Sequence, residues 1–206
     1  VLISSSAHYN KDIGVVKKKF ISKKNVNVLH VGRLTGVKNQ KLIIEVISKL
    51  NNSSEVIWNL KILGEGPLRS SLQKQIDDLD QSENITLVGQ VDRGDTFWNY
   101  YDEADVFLMS SKSEGTPKVI LEAMARSVPV VAPNVGGIPY LVENNIRGLL
   151  YNEGDLKEFY KAILHIKNNE TERMKMIENA FDFSKNNTVE KSTIFMVNEG
   201  AKYFKW

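Results

Sequence analysis

Two cations five positions apart, Arg33 and Lys38, and two carboxylates eight positions apart, Glu114 and Glu122, are the side chains whose types and spacing offer chemistry. A guanidinium presents a planar fork to phosphate oxygens, and an ammonium adds a point charge. Lys38 reads as the start of a helix, where unpaired N–H groups and the dipole already favour an anion. Taken alone, the pair reads equally well as two exposed cations beside a turn. Glu114 lies in the run Met109–Pro117, where Gly115 lets the backbone approach a ligand and Pro117 suits a first helical turn. Glu122 follows among Ile120, Leu121, Ala123 and Met124. Buried there, a carboxylate needs hydrogen-bond donors, which sugar hydroxyls would supply; a solvent-facing Glu on an amphipathic helix is the plainer reading.

The elements that must hold these residues alternate in type. Apolar, β-branched runs occur at Val28–Val31, Ile57–Leu63, Ile85–Val88, Val106–Met109, Val128–Ala132 and Gly148–Tyr151. Helical stripes lie between and after them: Ile43, Val46, Ile47 and Leu50, then Phe97, Tyr100, Tyr101 and Ala104. A third stripe is Leu156, Phe159, Tyr160 and Ile163, opened by Asp155 with Glu158 in capping-box relation. A last one runs through Met174, Ile177 and Phe181. Short, nearly continuous apolar strands between amphipathic helices predict an α/β fold, a doubly wound parallel sheet of about six strands with a helical carboxyl-terminal segment. In such a fold ligands bind beyond the carboxyl ends of the strands. Arg33 and Glu114 sit in loops at that edge, with Lys38 at the start of the next helix and Glu122 within the helix that follows.

Composition narrows the classes. The 206 residues carry 27 basic and 25 acidic side chains, a net charge of +2, so nothing global calls for nucleic acid and any anion site is local. Without cysteine there is no disulfide, no thiolate catalysis and no Cys-ligated metal. His8, His30 and His165 share no ligand spacing, so no metal site is expected. No apolar run approaches a membrane span. The basic opening segment Lys17, Lys18, Lys19, Lys23 and Lys24 reads as a solvated face. Gly64-Glu65-Gly66 mimics a dinucleotide fingerprint, but Arg69 stands where a third small residue should allow close helix packing. The cluster Phe97-Trp98-Asn99-Tyr100-Tyr101 has the spacing of core rather than of base stacking.

In combination these segments resemble the family 4 glycosyltransferases, glycosyl transferases group 1, of the two-domain Rossmann-like type. The resemblance rests on Gly32-Arg33-Leu34 with Lys38-Asn39-Gln40, Gly64-Glu65-Gly66-Pro67, Glu114 with Glu122, Pro129-Val130-Val131-Ala132, and Gly136-Gly137, in order over about 26–183. It implies that 26–206 is the nucleotide-sugar donor-binding domain of a retaining enzyme, including its carboxyl-terminal helices. Residues 1–25 would be an amino-terminal segment or former interdomain linker, and the acceptor-binding domain is absent from this sequence. Arg33 and Lys38 would bind the donor diphosphate and stabilise the leaving nucleotide, and Glu114 would hold the transferred sugar. Glu122 would take the ribose. Gly32, Gly115, Thr116, Lys118 and Val119 would contact sugar and phosphate, and Val88-Gly89-Gln90-Val91 would border the base.

The same resemblance implies no metal and no cofactor, the nucleotide-diphosphate sugar being a substrate. The partners implied are that donor and a glycan or lipid-linked acceptor, bound through the missing domain, in a cytoplasmic setting that includes peripheral attachment at an inner membrane face. Two positions depart from the family pattern. Ser127 stands where Gly is common, which would alter the turn before Val128; Lys118 stands where a small polar residue is common, and reads as a surface lysine first and as an extra cation shifting donor choice toward an acidic sugar second. Two other readings compete: a different enzyme on this scaffold, such as an epimerase or a phosphorylase, and a catalytically silent nucleotide-sugar-binding or regulatory module. The apolar segment Phe195–Trp206 is expected to pack as core.

Overall fold

The structure, a computed structural model, describes residues 8–15, 24–194 and 197. Its centre is a six-stranded, all-parallel sheet built from β1 (Asn25–Val31), β2 (Ile57–Leu63), β3 (Ile85–Gly89), β4 (Val106–Leu108), β5 (Val130–Pro133) and β6 (Leu149–Tyr151). The strand order is β3-β2-β1-β4-β5-β6, so sequence order reverses between β1 and β4. Strands β1 and β2 pair over their whole length, from Asn25 with Ile57 to Val31 with Leu63. The central β4 is buried at every position, as an apolar run covered on both faces must be.

Helices α1 (Gln40–Ser53), α2 (Arg69–Asp78) and α6 (Leu156–Asn168) cover one face of the sheet. Ile43, Val46, Ile47 and Leu50 of α1 join Leu72, Ile76, Phe159 and Ile163 over Val28, Leu60 and Ile62. On the other face lie α3 (Asp95–Glu103), α4 (Lys118–Ala125), α5 (Ile138–Val142) and the inner side of α7 (Glu170–Lys185). Both layers follow from stripes at helical spacing meeting an apolar sheet. This is the doubly wound, Rossmann-like arrangement that the alternating pattern predicts, with helices closing the carboxyl-terminal end.

Several local expectations shift by a turn or a residue. Strand β5 begins at Val130 rather than Val128, because Ser127 adopts a left-handed φ of 58° and turns the chain out of α4 first. For a non-glycine residue that conformation costs on the order of 1 kcal/mol. The α6 cap forms on one side only. Asp155 accepts from the N–H groups of Lys157 and Glu158 at 2.9 Å, while Glu158 reaches past it to the Asn152 N–H at 2.8 Å. On α7 the buried stripe is Arg173, Met176, Ile177, Ala180, Phe181 and Ser184, with Met174 half-buried at its flank. Arg173 takes a core position because its guanidinium donates to the Ile166 and Lys167 carbonyls, at 2.7 and 3.1 Å, which end α6.

Residues 8–15, read from sequence as linker, lie against the domain. The Gly14 N–H donates to the Ala125 carbonyl at 2.9 Å, and the His8 ring meets the Ser184 carbonyl at 3.1 Å. Of the carboxyl-terminal apolar segment, Phe195, Met196, Tyr203, Phe204 and Trp206 lie outside the described residues. Val197 is exposed rather than core. Of the five basic opening residues only Lys24 is described, and it is exposed.

Candidate functional site

The loops after β1, β4 and β5 are stitched together at the point where strand order reverses. The Ser110 hydroxyl, following β4, lies 2.9 Å from the carbonyls of Lys38 and of Asn39, in the turn before α1. The Lys112 N–H donates to the Val37 carbonyl at 2.8 Å, and the Gly137 N–H to the Glu114 carbonyl at 3.1 Å. Gly137 must be glycine, because a Cβ there would stand 1.9 Å from the Gly115 carbonyl oxygen. Lys38 lies two residues before α1, with the left-handed Asn39 as N-cap, so its side chain is free of the helix and crosses the gap. Its ammonium meets the Glu114 carboxylate at 2.5 Å. A cation from the β1 loop and an anion from the β4 loop thus face each other at the topological switch point, where doubly wound sheets bind ligands.

A cleft of about 450 Å³ opens beside this pair. Val31, Gly32 and Arg33 form one wall, Leu63 to Gly66 a second, and Gln90, Val91 and Phe97 a third. The Gly-x-Gly turn after β2 serves loop packing, since a Cβ on Gly66 would lie 2.4 Å from the Leu34 carbonyl oxygen. Arg69 spans from Glu65, at 2.7 Å, to the Leu87 carbonyl in the middle of β3, at 3.0 Å. Its bulk accordingly finds use where a dinucleotide fingerprint would need a small residue.

Behind Arg33 runs a buried polar chain. The His30 ring is fully enclosed, and its Nδ1–H donates to the Leu108 carbonyl at 2.9 Å, leaving Nε2 to accept from the Gln40 amide at 3.3 Å. The same Gln40 nitrogen donates to the Arg33 carbonyl at 2.9 Å. Burial lowers the His30 pKa to about 4, so the ring is neutral at physiological pH. These contacts fix the backbone at Gly32 and Arg33 and leave the Arg33 side chain exposed at the rim of the cleft.

Glu122 sits elsewhere in the fabric. It is 2% exposed on α4, and one carboxylate oxygen accepts from the Tyr101 hydroxyl of α3 at 2.8 Å. The other pairs with Arg93, on the loop after β3. Burial raises the Glu122 pKa, and the Arg93 charge and the Tyr101 hydrogen bond pull it back. Its contacts are thus with Arg93 and Tyr101, whereas Lys38 and Glu114 contact each other. Arg93 connects the Glu122 cluster to the cleft, its guanidinium 5.6 Å from the centre of Phe97, a wall residue.

The remaining expected residues fall at that edge or just behind it. Gly115, Thr116 and Lys118 are exposed around the start of α4, with Pro117 as its N-cap and Val119 half-buried. No atom would crowd a Cβ on Gly115, so the face above it is open. Val88 packs against the core, while the following Gln90 and Val91 line the cleft. Arg93 and Tyr101 were not singled out from sequence. The signal available for them was the need of a buried Glu122 for donors, but the partners lie 29 and 21 residues away. Among the described residues no group of three His, Asp or Glu could hold a metal ion, and no helix is long and apolar enough to cross a membrane.

A Rossmann-like sheet with charged loops gathered at its switch point defines a class of ligand-binding α/β domain, and sequence comparison identifies which. The family described as glycosyl transferases group 1 matches residues 15–183, and the chain belongs to it. The amylovoran biosynthesis glycosyltransferase AmsK of Erwinia amylovora is 33% identical over 153 residues, covering 71% of this chain and 37% of its own length. The chain therefore spans little more than a third of that relative. Among solved structures, sucrose-phosphate synthase from Thermosynechococcus elongatus superposes with a TM-score of 0.82 at 21% identity, over 98% of this chain and 52% of that one. Anabaena Alr3699/HepE in complex with UDP gives 0.77 at 22%, over 87% and 49%. These structural likenesses show a shared fold.

Proposed function

We propose that this chain is the donor-binding half of a retaining glycosyltransferase that moves a sugar from a nucleotide-diphosphate sugar to a glycan or lipid-linked acceptor. The observation that carries the reading is the Lys38–Glu114 pair across the switch-point gap, with Arg33 exposed at the adjoining rim. Family membership, the polysaccharide-biosynthesis name of AmsK and the UDP complex of Alr3699/HepE support it.

Cleaving the sugar–phosphate bond leaves negative charge on the diphosphate. Arg33 and Lys38, carried on backbone that is already fixed, stabilise that charge once Lys38 has exchanged Glu114 for phosphate, an effect worth about 2–4 kcal/mol in the barrier for a positioned donor. Glu114 turns to hydroxyls of the transferred sugar when Lys38 turns to phosphate. Glu122 receives the ribose, and the backbone at Gly115, Thr116 and Val119 approaches sugar and phosphate. The cleft walls at Gln90 and Val91 border the base. Acceptor binding and water exclusion belong to a second domain, so the isolated chain binds donor weakly and transfers negligibly.

Calorimetric titration of the chain with UDP, GDP and ADP tests this. One of the three binds, and Arg33→Ala weakens it roughly tenfold or more, as loss of a charge-assisted contact requires. Absence of binding by all three, or indifference to Arg33→Ala, overturns the reading.

A further inference from the structure

We infer that Arg93 is a placeholder for the ribose: it pairs with the Glu122 carboxylate oxygen that a ribose hydroxyl would take, and nucleotide must displace it to bind. The inference rests on the donor reading above and adds a competitor to it. Both oxygens of Glu122 are engaged in the structure, one by the Tyr101 hydroxyl at 2.8 Å and the other by Arg93. The two partners differ in how easily they leave. Tyr101 is fully buried on α3, stacked with Phe107, and burial beside Glu122 raises its pKa far above the usual range, so it remains a fixed hydroxyl donor.

Arg93 is the exchangeable partner. It lies on the exposed stretch between Val91 and α3, its side chain is 49% exposed, and its guanidinium rests about 6 Å from the rings of Phe97 and Trp98. The Tyr101 hydroxyl satisfies only one oxygen of a carboxylate that is 2% exposed, and the other needs a donor of its own, because uncompensated burial of a charge is strongly unfavourable. Arg93 supplies that donor from solvent, beside the aromatic wall of the cleft. A ribose hydroxyl reaching the same oxygen would release the guanidinium outward over the rings.

The test compares UDP with inorganic pyrophosphate on the full chain and on Arg93→Met. Removal of a competitor at the ribose end tightens UDP by about tenfold and leaves pyrophosphate, which engages only the Arg33 and Lys38 end, unchanged. Arg93→Lys, which keeps the charge but lacks the fork, falls between and carries the test should Arg93→Met fail to fold. Weaker UDP binding in Arg93→Met means that Arg93 holds the nucleotide itself, and overturns the placeholder. Unchanged UDP affinity overturns it also, as does a parallel shift in UDP and pyrophosphate, which reports only a change in local charge. Failure of the donor reading is distinct: the wild-type chain then binds none of UDP, GDP or ADP, and both proposals fall together.

Discussion

Lys38–Glu114 and Arg93–Glu122 are both ion pairs between a mobile-length cation and a glutamate near the same sheet edge, yet they are built oppositely. In the first, both partners come from loops, and their side chains are 27% and 10% exposed. Such a pair loses less when it opens than a fully enclosed one, since water or a ligand can reach either member. In the second, the cation is half-exposed and the carboxylate is enclosed on a helix with a fixed tyrosine beside it. Opening that pair without a substitute strands a charge in the core. The first contact is therefore a resting position, and the second a condition for keeping Glu122 ionised. The difference teaches that two glutamates on one motif can face a ligand with different obligations.

The sharpest way to break this contrast is to move one glutamate and not the other. Gly137→Ala drives a methyl group into the backbone at Gly115 and Thr116, next to Glu114. It should cost about 3 kcal/mol in urea unfolding and abolish nucleotide binding, while Glu122, on its helix, stays in place. A variant as stable as the parent would show that the β5 loop does not hold Glu114.

A comparable effect should come with acid through His30, which backs the first pair. Its folded pKa of about 4 lies below the ordinary 6.5, so the unfolded chain takes up a proton first as pH falls. Stability is full above 6.5 and is lost on descent towards 4, by on the order of 3 kcal/mol from this residue. His30→Asn, compared with the parent in urea titrations at pH 7 and pH 4.5, should show a shallower loss. Equal slopes would remove His30 as the cause.

The smallest effects sharpen the comparison most directly. Tyr101→Phe removes a hydrogen bond to a buried charge and should cost about 1.5–3 kcal/mol. Lys38→Met should change stability by less than about 1 kcal/mol. Thermal melts of the two variants side by side decide it, and equal shifts would mean that the two pairs carry the same burden.

Much of the fold was legible because the signals were local. Val106, Phe107 and Leu108 form an apolar run that only a covered strand explains, and Ile43 to Leu50 repeat with the period of a helix. Reading failed where one residue served two neighbours: Glu158 caps Asn152 instead of Asp155, and Arg173 fills a core position by bonding to α6. At the site, Lys38 and Glu114 stood out as charges after strands, and the structure brings them together. Arg93 sits in an exposed stretch with no periodicity, and Tyr101 was absorbed into an aromatic stripe whose core role is real. Their polar function appears only when the chain is folded around Glu122.

Ser110 has a consequence of its own. Because one hydroxyl meets two carbonyls ahead of α1, the floor beneath the gap is rigid before anything arrives. An incoming phosphate would then find its seat already shaped, and the entropy of arranging that backbone would have been settled during folding rather than at the moment of capture.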